Sequence, residues 1–226
     1  MIRAVIFDFD GTILDTELPD YEAWQAIFRA HQCELTLEAW SKCLGTTYDV
    51  FNPYDHLEEL AGGPVARDRI EQEHRRHFLE RVASQTVAAG VAERIAEARQ
   101  LGLRLAVASS SHREWVVGHL TRLGLIGHFE AIRCRDDVAR PKPAPDLYLA
   151  ALEALGVAPH EAIAFEDSPN GAHAAVAAGI YCVAVPNAVS CRLPLDHAHR
   201  RVESLAGVRL ADLIAECVRE RTGKPD

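Results

Sequence analysis

The chain has 226 residues, 48% hydrophobic and 25% charged, which suits one globular soluble domain or one domain with a smaller unit set into it. A formal net charge of −9 with no basic stripe argues against a nucleic-acid surface, and no apolar run approaches the length needed to span a membrane. Six scattered cysteines without a C-x-x-C pair fit reduced thiols better than a disulfide framework. Met1 leads directly into a strand with no signal peptide ahead of it, so the expectation is a cytoplasmic protein, taken as a monomer.

The first element is a strand. Residues 2–7, apolar apart from Arg3, form a run of the kind buried on both faces of a sheet. The run leads into Asp8-Phe9-Asp10-Gly11-Thr12. If the strand persists, Asp8 and Asp10 share a face, and two carboxylates held close call for a cation between them. Mg²⁺ suits such a site because it takes a few carboxylates and leaves room for waters and a phosphate. Gly11 lets the chain turn sharply. A calcium loop also begins Asp-x-Asp-Gly, but the following residues offer only Asp15 and Glu17 around Ile13 and Leu14, short of the ligands such a loop needs.

A block of helices follows. Tyr21, Trp24, Ile27 and Phe28 recur at helical spacing over 20–31, and a second helix is expected from Thr36 to about Leu44, closed by Gly45. Asn52-Pro53 opens a third, with Leu57 and Leu60 on one face and Gly62-Gly63 at its end. A strongly charged fourth covers 65–84. Trp24 and Trp40 are assigned to the core of this block. His74 and His77, one helical turn apart, are assigned to a solvated face.

Past Thr86 strands and helices alternate. Helices are expected at 91–101, 112–123, 145–155, 169–178 and 209–221, and strands at 103–108, 129–132, 161–165 and 181–185. Trp115 is expected to pack against the sheet, and 196–200 to form a surface loop. Alternation of this kind gives right-handed crossovers and a doubly wound parallel sheet. The fold class is therefore α/β, with core residues 1–16 and 87–226 interrupted by an all-α unit at 17–86.

In an open parallel sheet, ligands bind beyond the carboxyl ends of the strands. Four polar clusters fall there: Asp8/Asp10, Ser109-Ser110-Ser111, the loop carrying Lys142, and Glu166/Asp167. Each alone has an ordinary reading, as a helix N-cap, a solvated lysine or an acidic first helical turn. Together they suit phosphoryl transfer. A carboxylate can attack phosphorus, a metal and a lysine can neutralise charge, and a second carboxylate can serve as acid and base. Ser109 offers a hydroxyl beside free backbone N–H groups, and Pro141 and Pro143 stiffen the backbone around Lys142.

Asp8-Phe9-Asp10-Gly11-Thr12, Ala108-Ser109-Ser110-Ser111, Lys142-Pro143 and Phe165-Glu166-Asp167-Ser168, in that order, resemble the four motifs of the haloacid dehalogenase superfamily. The helical block resembles the cap of its β-phosphoglucomutase-like and sugar-phosphatase branch. The resemblance implies a Rossmann-like core with a helical cap, Asp8 as nucleophile and Asp10 as acid and base. It further implies phosphate binding by Asp10, Gly11, Ser109, Ser110 and Lys142. Mg²⁺ would be held by Asp8, the Asp10 carbonyl and Asp167, with Glu166 nearby.

Asp10 argues against the superfamily's dehalogenases and phosphonatases, which lack an acid there. Where the mutases carry a linker His and a cap Arg, this chain has Leu18-Pro19-Asp20 and Gly45-Thr46-Thr47-Tyr48-Asp49, and its aspartates repel a second phosphate. The expectation is a phosphatase acting on a small phosphorylated metabolite, a sugar or polyol phosphate, with Asp20, Thr46 and Thr47 contacting the leaving group. A phosphosugar mutase is the alternative among enzymes. A receiver-like phosphoacceptor module is the alternative outside them, and the large helical insert argues against it.

Overall fold

The computed structural model describes residues 1–41 and 51–223. Strand β1 (Ala4–Phe7) is apolar throughout because both its faces are covered: Val5 and Phe7 enter one apolar layer, Ala4 and Ile6 the other. It lies parallel between β2 (Arg104–Ala108) and β4 (Ala162–Glu166), with Ala4 opposite both Arg104 and Ala162. Strand β3 (Ala131–Arg133) extends the sheet past β2, and β5 (Tyr181–Ala184) and β6 (Arg200–Arg201) extend it past β4. Among the described residues the result is a six-stranded parallel sheet ordered β3-β2-β1-β4-β5-β6.

The segment after β1 holds only helices among the described residues: α1 (Glu17–Ala30), α2 (Leu37–Ser41), α3 (Pro53–Ala61) and α4 (Arg67–Ser84). Asn52 caps α3 by accepting from the Tyr54 and Asp55 amides, Pro53 sits in its first turn, and Gly62 ends it at φ +75°. These helices share an apolar cluster of their own, built on Tyr21, Trp24, Phe28, Trp40 and Leu57. The segment leaves and rejoins the sheet through paired strands of chain: Leu14 bridges Val87 in antiparallel fashion, and the Ala88 amide donates to the Ile13 carbonyl at 2.9 Å.

Behind the sheet, α5 (Val91–Gln100), α6 (Arg113–Arg122) and α9 (Leu210–Thr222) cover the Val5/Phe7 face. The other face takes α7 (Asp146–Leu155) and α8 (Pro169–Ala177). Helices on both faces of a parallel sheet make the core doubly wound. None of the described helices is long and apolar enough to cross a membrane, and the five described cysteines are unpaired.

Three expectations are corrected. Strand β1 ends at Phe7, before either aspartate, so Asp8 and Asp10 are not successive same-face residues of one strand. The stretch read as a surface loop runs into β6, whose two exposed arginines carry no apolar signal. His74 is not solvated: its Nε2 lies 2.7 Å from Asp20 Oδ1, and its ring centroid 4.7 Å from that of Trp24.

Candidate active site

The chain beyond β1 turns instead of continuing. Asp8 still pairs with β4 through its amide, which donates to the Phe165 carbonyl at 2.9 Å. Gly11 then adopts φ +78°, and its amide closes on the Leu14 carbonyl at 2.7 Å. A Cβ at Gly11 would overlap the Asp167 carboxylate, so glycine permits the two loops to touch. The turn brings Asp8 and Asp10 to one cleft of about 440 Å³ at the carboxyl ends of the central strands, with Ser110, Ser111, Lys142 and Asp167 also in its lining.

Lys142 anchors the acidic side. Its Nζ donates to Asp8 Oδ1 and to Glu166 Oε1, the latter at 2.5 Å, from a side chain only 6% exposed. Burial opposes the lysine's charge, but the Asp8 and Glu166 carboxylates outweigh it and hold the ammonium above its ordinary value. Burial, with the Glu166 charge second, pushes Asp8 up to about 7 against the pull of Lys142. Asp167 is raised well above the usual carboxylate range, again by burial first and then by the Asp8 charge.

Each of these acids has a dedicated support. Glu166, fully buried, accepts from Tyr148 Oη at 2.7 Å and Ser168 Oγ at 3.4 Å, and Gly171 leaves room for its carboxylate. Asp167 accepts from Asn187 Nδ2 at 2.8 Å. Asn187 is itself fixed, because its Oδ1 accepts the Val189 and Ser190 amides at 3.0 and 2.9 Å.

Asp8, Glu166 and Asp167 offer oxygens within 4.8 Å of one another. Three buried carboxylates against one ammonium cannot all ionise at low cost unless a further cation joins them. An all-oxygen acidic set of this kind fits a hard divalent ion such as Mg²⁺.

Asp10 stands apart from that cluster. Its Oδ2 accepts from Ser111 Oγ at 2.7 Å and Ser109 Oγ at 3.3 Å, and its Oδ1 accepts from Trp115 Nε1 at 2.9 Å. Ser109 is wholly buried beneath Asp10 and accepts the Ser111 amide at 3.0 Å, so Ser110 and Ser111, not Ser109, face the cleft. Gly11 is likewise off this lining, behind Asp167.

The cleft continues past Asp10 into a second opening between α1, α4 and α6, lined by Glu17, Asp20, His74, Phe78, Trp115 and Arg135 among others. Asp20 therefore does reach the entrance, paired with His74. Burial and then the Asp20 and Asp10 charges push Glu17 up to about 8. Thr46, Thr47 and Asp49 lie outside the described residues.

The arrangement brings together Asp8, Asp10, Ser110, Lys142, Glu166 and Asp167, and adds four side chains that sequence reasoning passed over. Trp115 packs at the edge of the core as expected, yet its indole N–H belongs to Asp10. Tyr148 reads as helix core because only its hydroxyl matters here. Ser111 has nothing in the sequence to set it apart from Ser109 and Ser110. Asn187 follows β5, and the strand-end rule that located the other clusters would have found it too.

Known proteins share this frame. Residues 5–185 match the family described as haloacid dehalogenase-like hydrolase. YhcW of Bacillus subtilis, which carries a provisional phosphatase name, is 45% identical over 214 residues, 95% of this chain and 97% of its own. The validoxylamine A 7′-phosphate phosphatase of Streptomyces hygroscopicus subsp. limoneus is 33% identical over 183 residues, 81% of this chain and 85% of its own. A crystal structure of a CbbY variant from Rhodobacter sphaeroides, in complex with xylulose-1,5-bisphosphate, aligns with TM-score 0.70 at 30% identity, covering 94% of this chain and 99% of that one. A family match across most of the chain, together with a relative this similar over nearly its full length, shows that the protein belongs to the haloacid dehalogenase-like hydrolases.

Proposed function

We propose that the protein is a Mg²⁺-dependent phosphatase that hydrolyses a small sugar or polyol phosphate through an aspartyl-phosphate on Asp8. The observation that carries this reading is the unlike surroundings of two aspartates in one cleft. Asp8 sits among carboxylates with one oxygen on Lys142, whereas Asp10 is held by three neutral donors.

Asp8 attacks phosphorus with the oxygen that Lys142 leaves free. Lys142 offsets the charge that gathers on the phosphoryl oxygens, and the Ser110 and Ser111 side of the cleft receives them. Asp10 gives its proton to the departing alcohol oxygen as the ester P–O bond breaks. It then takes a proton from the water that attacks the aspartyl-phosphate, and the bond between phosphorus and Asp8 breaks in turn. Bound at Asp8, Asp167 and the Asp10 carbonyl, with Glu166 nearby, Mg²⁺ would supply the positive charge that lets an anionic nucleophile approach an anionic ester.

The helices of 17–86 act as a cap over the core of 1–16 and 87–226, and the paired connections at Leu14 and Val87 serve as its hinge. Glu17 and Asp20 line the way in beside Arg135, and their carboxyl oxygens can accept hydrogen bonds from substrate hydroxyls. The names of the Streptomyces phosphatase and of the sugar bisphosphate bound to the CbbY variant support a phosphorylated carbohydrate as substrate.

Asp8→Asn is expected to lower phosphate release in Mg²⁺ by at least ~10³-fold on every ester tried, since it removes the nucleophile outright. Near-normal hydrolysis would reject the assignment. From a hexose 1-phosphate the expected product is free phosphate, not the 6-phosphate. A panel on which sugar and polyol phosphates were the poorest substrates would reject the substrate class.

A further inference from the structure

We propose that Trp115 is the positioning residue for Asp10, and that it holds this place because Phe78 of the helical insert stacks on it. The inference rests on the reading of Asp10 as acid and base.

The two serine hydroxyls on Oδ2 both come from the loop after β2, so they hold one oxygen from one side. The indole N–H on Oδ1 is the second point that fixes the plane of the carboxylate. The donors also differ in kind. A hydroxyl can turn and accept a hydrogen bond, but an indole N–H can only donate. When Asp10 is protonated, Oδ1 must remain the acceptor, and the transferable proton is directed to Oδ2, beside Ser111 in the cleft.

The indole is held in turn by rings from two elements. Phe78 of α4 lies stacked on it, with centroids 5.6 Å apart and planes inclined by 17°. His119, one turn further along α6, meets it edge-on at 4.2 Å. Phe78 also stacks at 6.1 Å on His74, which pairs with Asp20 of α1. A continuous column of rings thus runs from the interior of the insert to the carboxylate of Asp10. If α4 lifts away, Trp115 loses its upper neighbour and Asp10 its fixed orientation, so proton transfer is efficient only with the insert seated.

The test compares kcat/KM, which covers events up to departure of the alcohol, on two esters. An alkyl phosphate such as glycerol phosphate needs a proton on its leaving oxygen, whereas 2,4-dinitrophenyl phosphate does not. Trp115→Phe keeps a ring beside Phe78 and removes the N–H, and is expected to lower the alkyl-to-aryl ratio of kcat/KM about tenfold, at the low end of what a general acid contributes. Phe78→Leu keeps apolar bulk and the N–H but removes the stack, and is expected to move the same ratio about threefold in the same direction through less exact placement of the acid.

Equal losses on both esters, or none, in a folded Trp115→Phe protein would overturn the positioning role. A shift in Trp115→Phe without one in Phe78→Leu would overturn the part played by the insert. Should Trp115→Phe fail to fold, Phe78→Leu decides alone, and an unmoved ratio rejects the proposal. A wild-type protein inert toward both esters in Mg²⁺ would instead reject the phosphatase reading itself.

Discussion

At Gly171, in the first turn of α8, a methyl group would stand in the space held by the Glu166 carboxylate. Replacing a helical glycine with alanine ordinarily stabilises by about 0.5–1 kcal/mol. Here overpacking outweighs that gain, since the displaced group is a buried anion tied to Lys142 and Tyr148. Gly171→Ala is therefore expected to destabilise by about 1–3 kcal/mol and to weaken Mg²⁺ binding, measurable by thermal melts and metal titration. Unchanged stability would show that Glu166 can move without consequence. The charged members of the site were legible in the sequence because Asp8, Asp10, Lys142, Glu166 and Asp167 fall in strand-end loops whose residue types complement one another, although each alone has an ordinary structural use. Trp115 and Tyr148 were not legible. Each contributes a single N–H or O–H from a side chain whose other atoms have an ordinary packing role, and that atom's target is fixed only by tertiary contact.

Helix α6 carries more than Trp115. At its far end Arg122 reaches across to the end of α4, at 3.3 Å from both Val82 O and Ala83 O and 2.9 Å from O of Gln85, the residue that follows the helix. The Val82 carbonyl also accepts the Gln85 amide at 3.1 Å, and a guanidinium at this end of the helix adds a second donor and complements the helix dipole. Arg122→Ala is expected to cost about 1 kcal/mol, because the contact is exposed, and to speed amide exchange in the last turn of α4 and its connection to the core. Exchange unchanged in that turn would mean that the paired chain at Leu14 and Val87 holds the junction by itself. Most elements could be read from apolar periodicity and from Gly and Pro punctuation. Those that escaped lacked both signals: β6 is two exposed arginines, and the inward turn of His74 depends on Asp20 from another helix and on the face of Trp24.

The acidic cluster links proton balance to the stability of the whole molecule. Without metal, Asp8 rises from an ordinary 3.8 to about 7, and Asp167 rises with it. The folded state then binds more protons than the unfolded state over that interval, so these groups' contribution to stability is full on the acid side and is lost as pH rises through about 7. A divalent ion favours the ionised forms and reverses the trend. The rise in Tm on adding Mg²⁺ to chelator-treated protein is therefore expected to grow from acid to mildly alkaline pH. A rise that shrank with pH would contradict a metal site on these carboxylates. The place of β1 at the middle of the sheet has a consequence for biosynthesis. Asp8 precedes both strands that flank it, which begin at residues 104 and 162, and the acids that complete its surroundings stand at 166 and 167. A polypeptide made only as far as β2 carries Asp8 without Glu166 and Asp167, so the acidic cluster can assemble only after β4 has been synthesised.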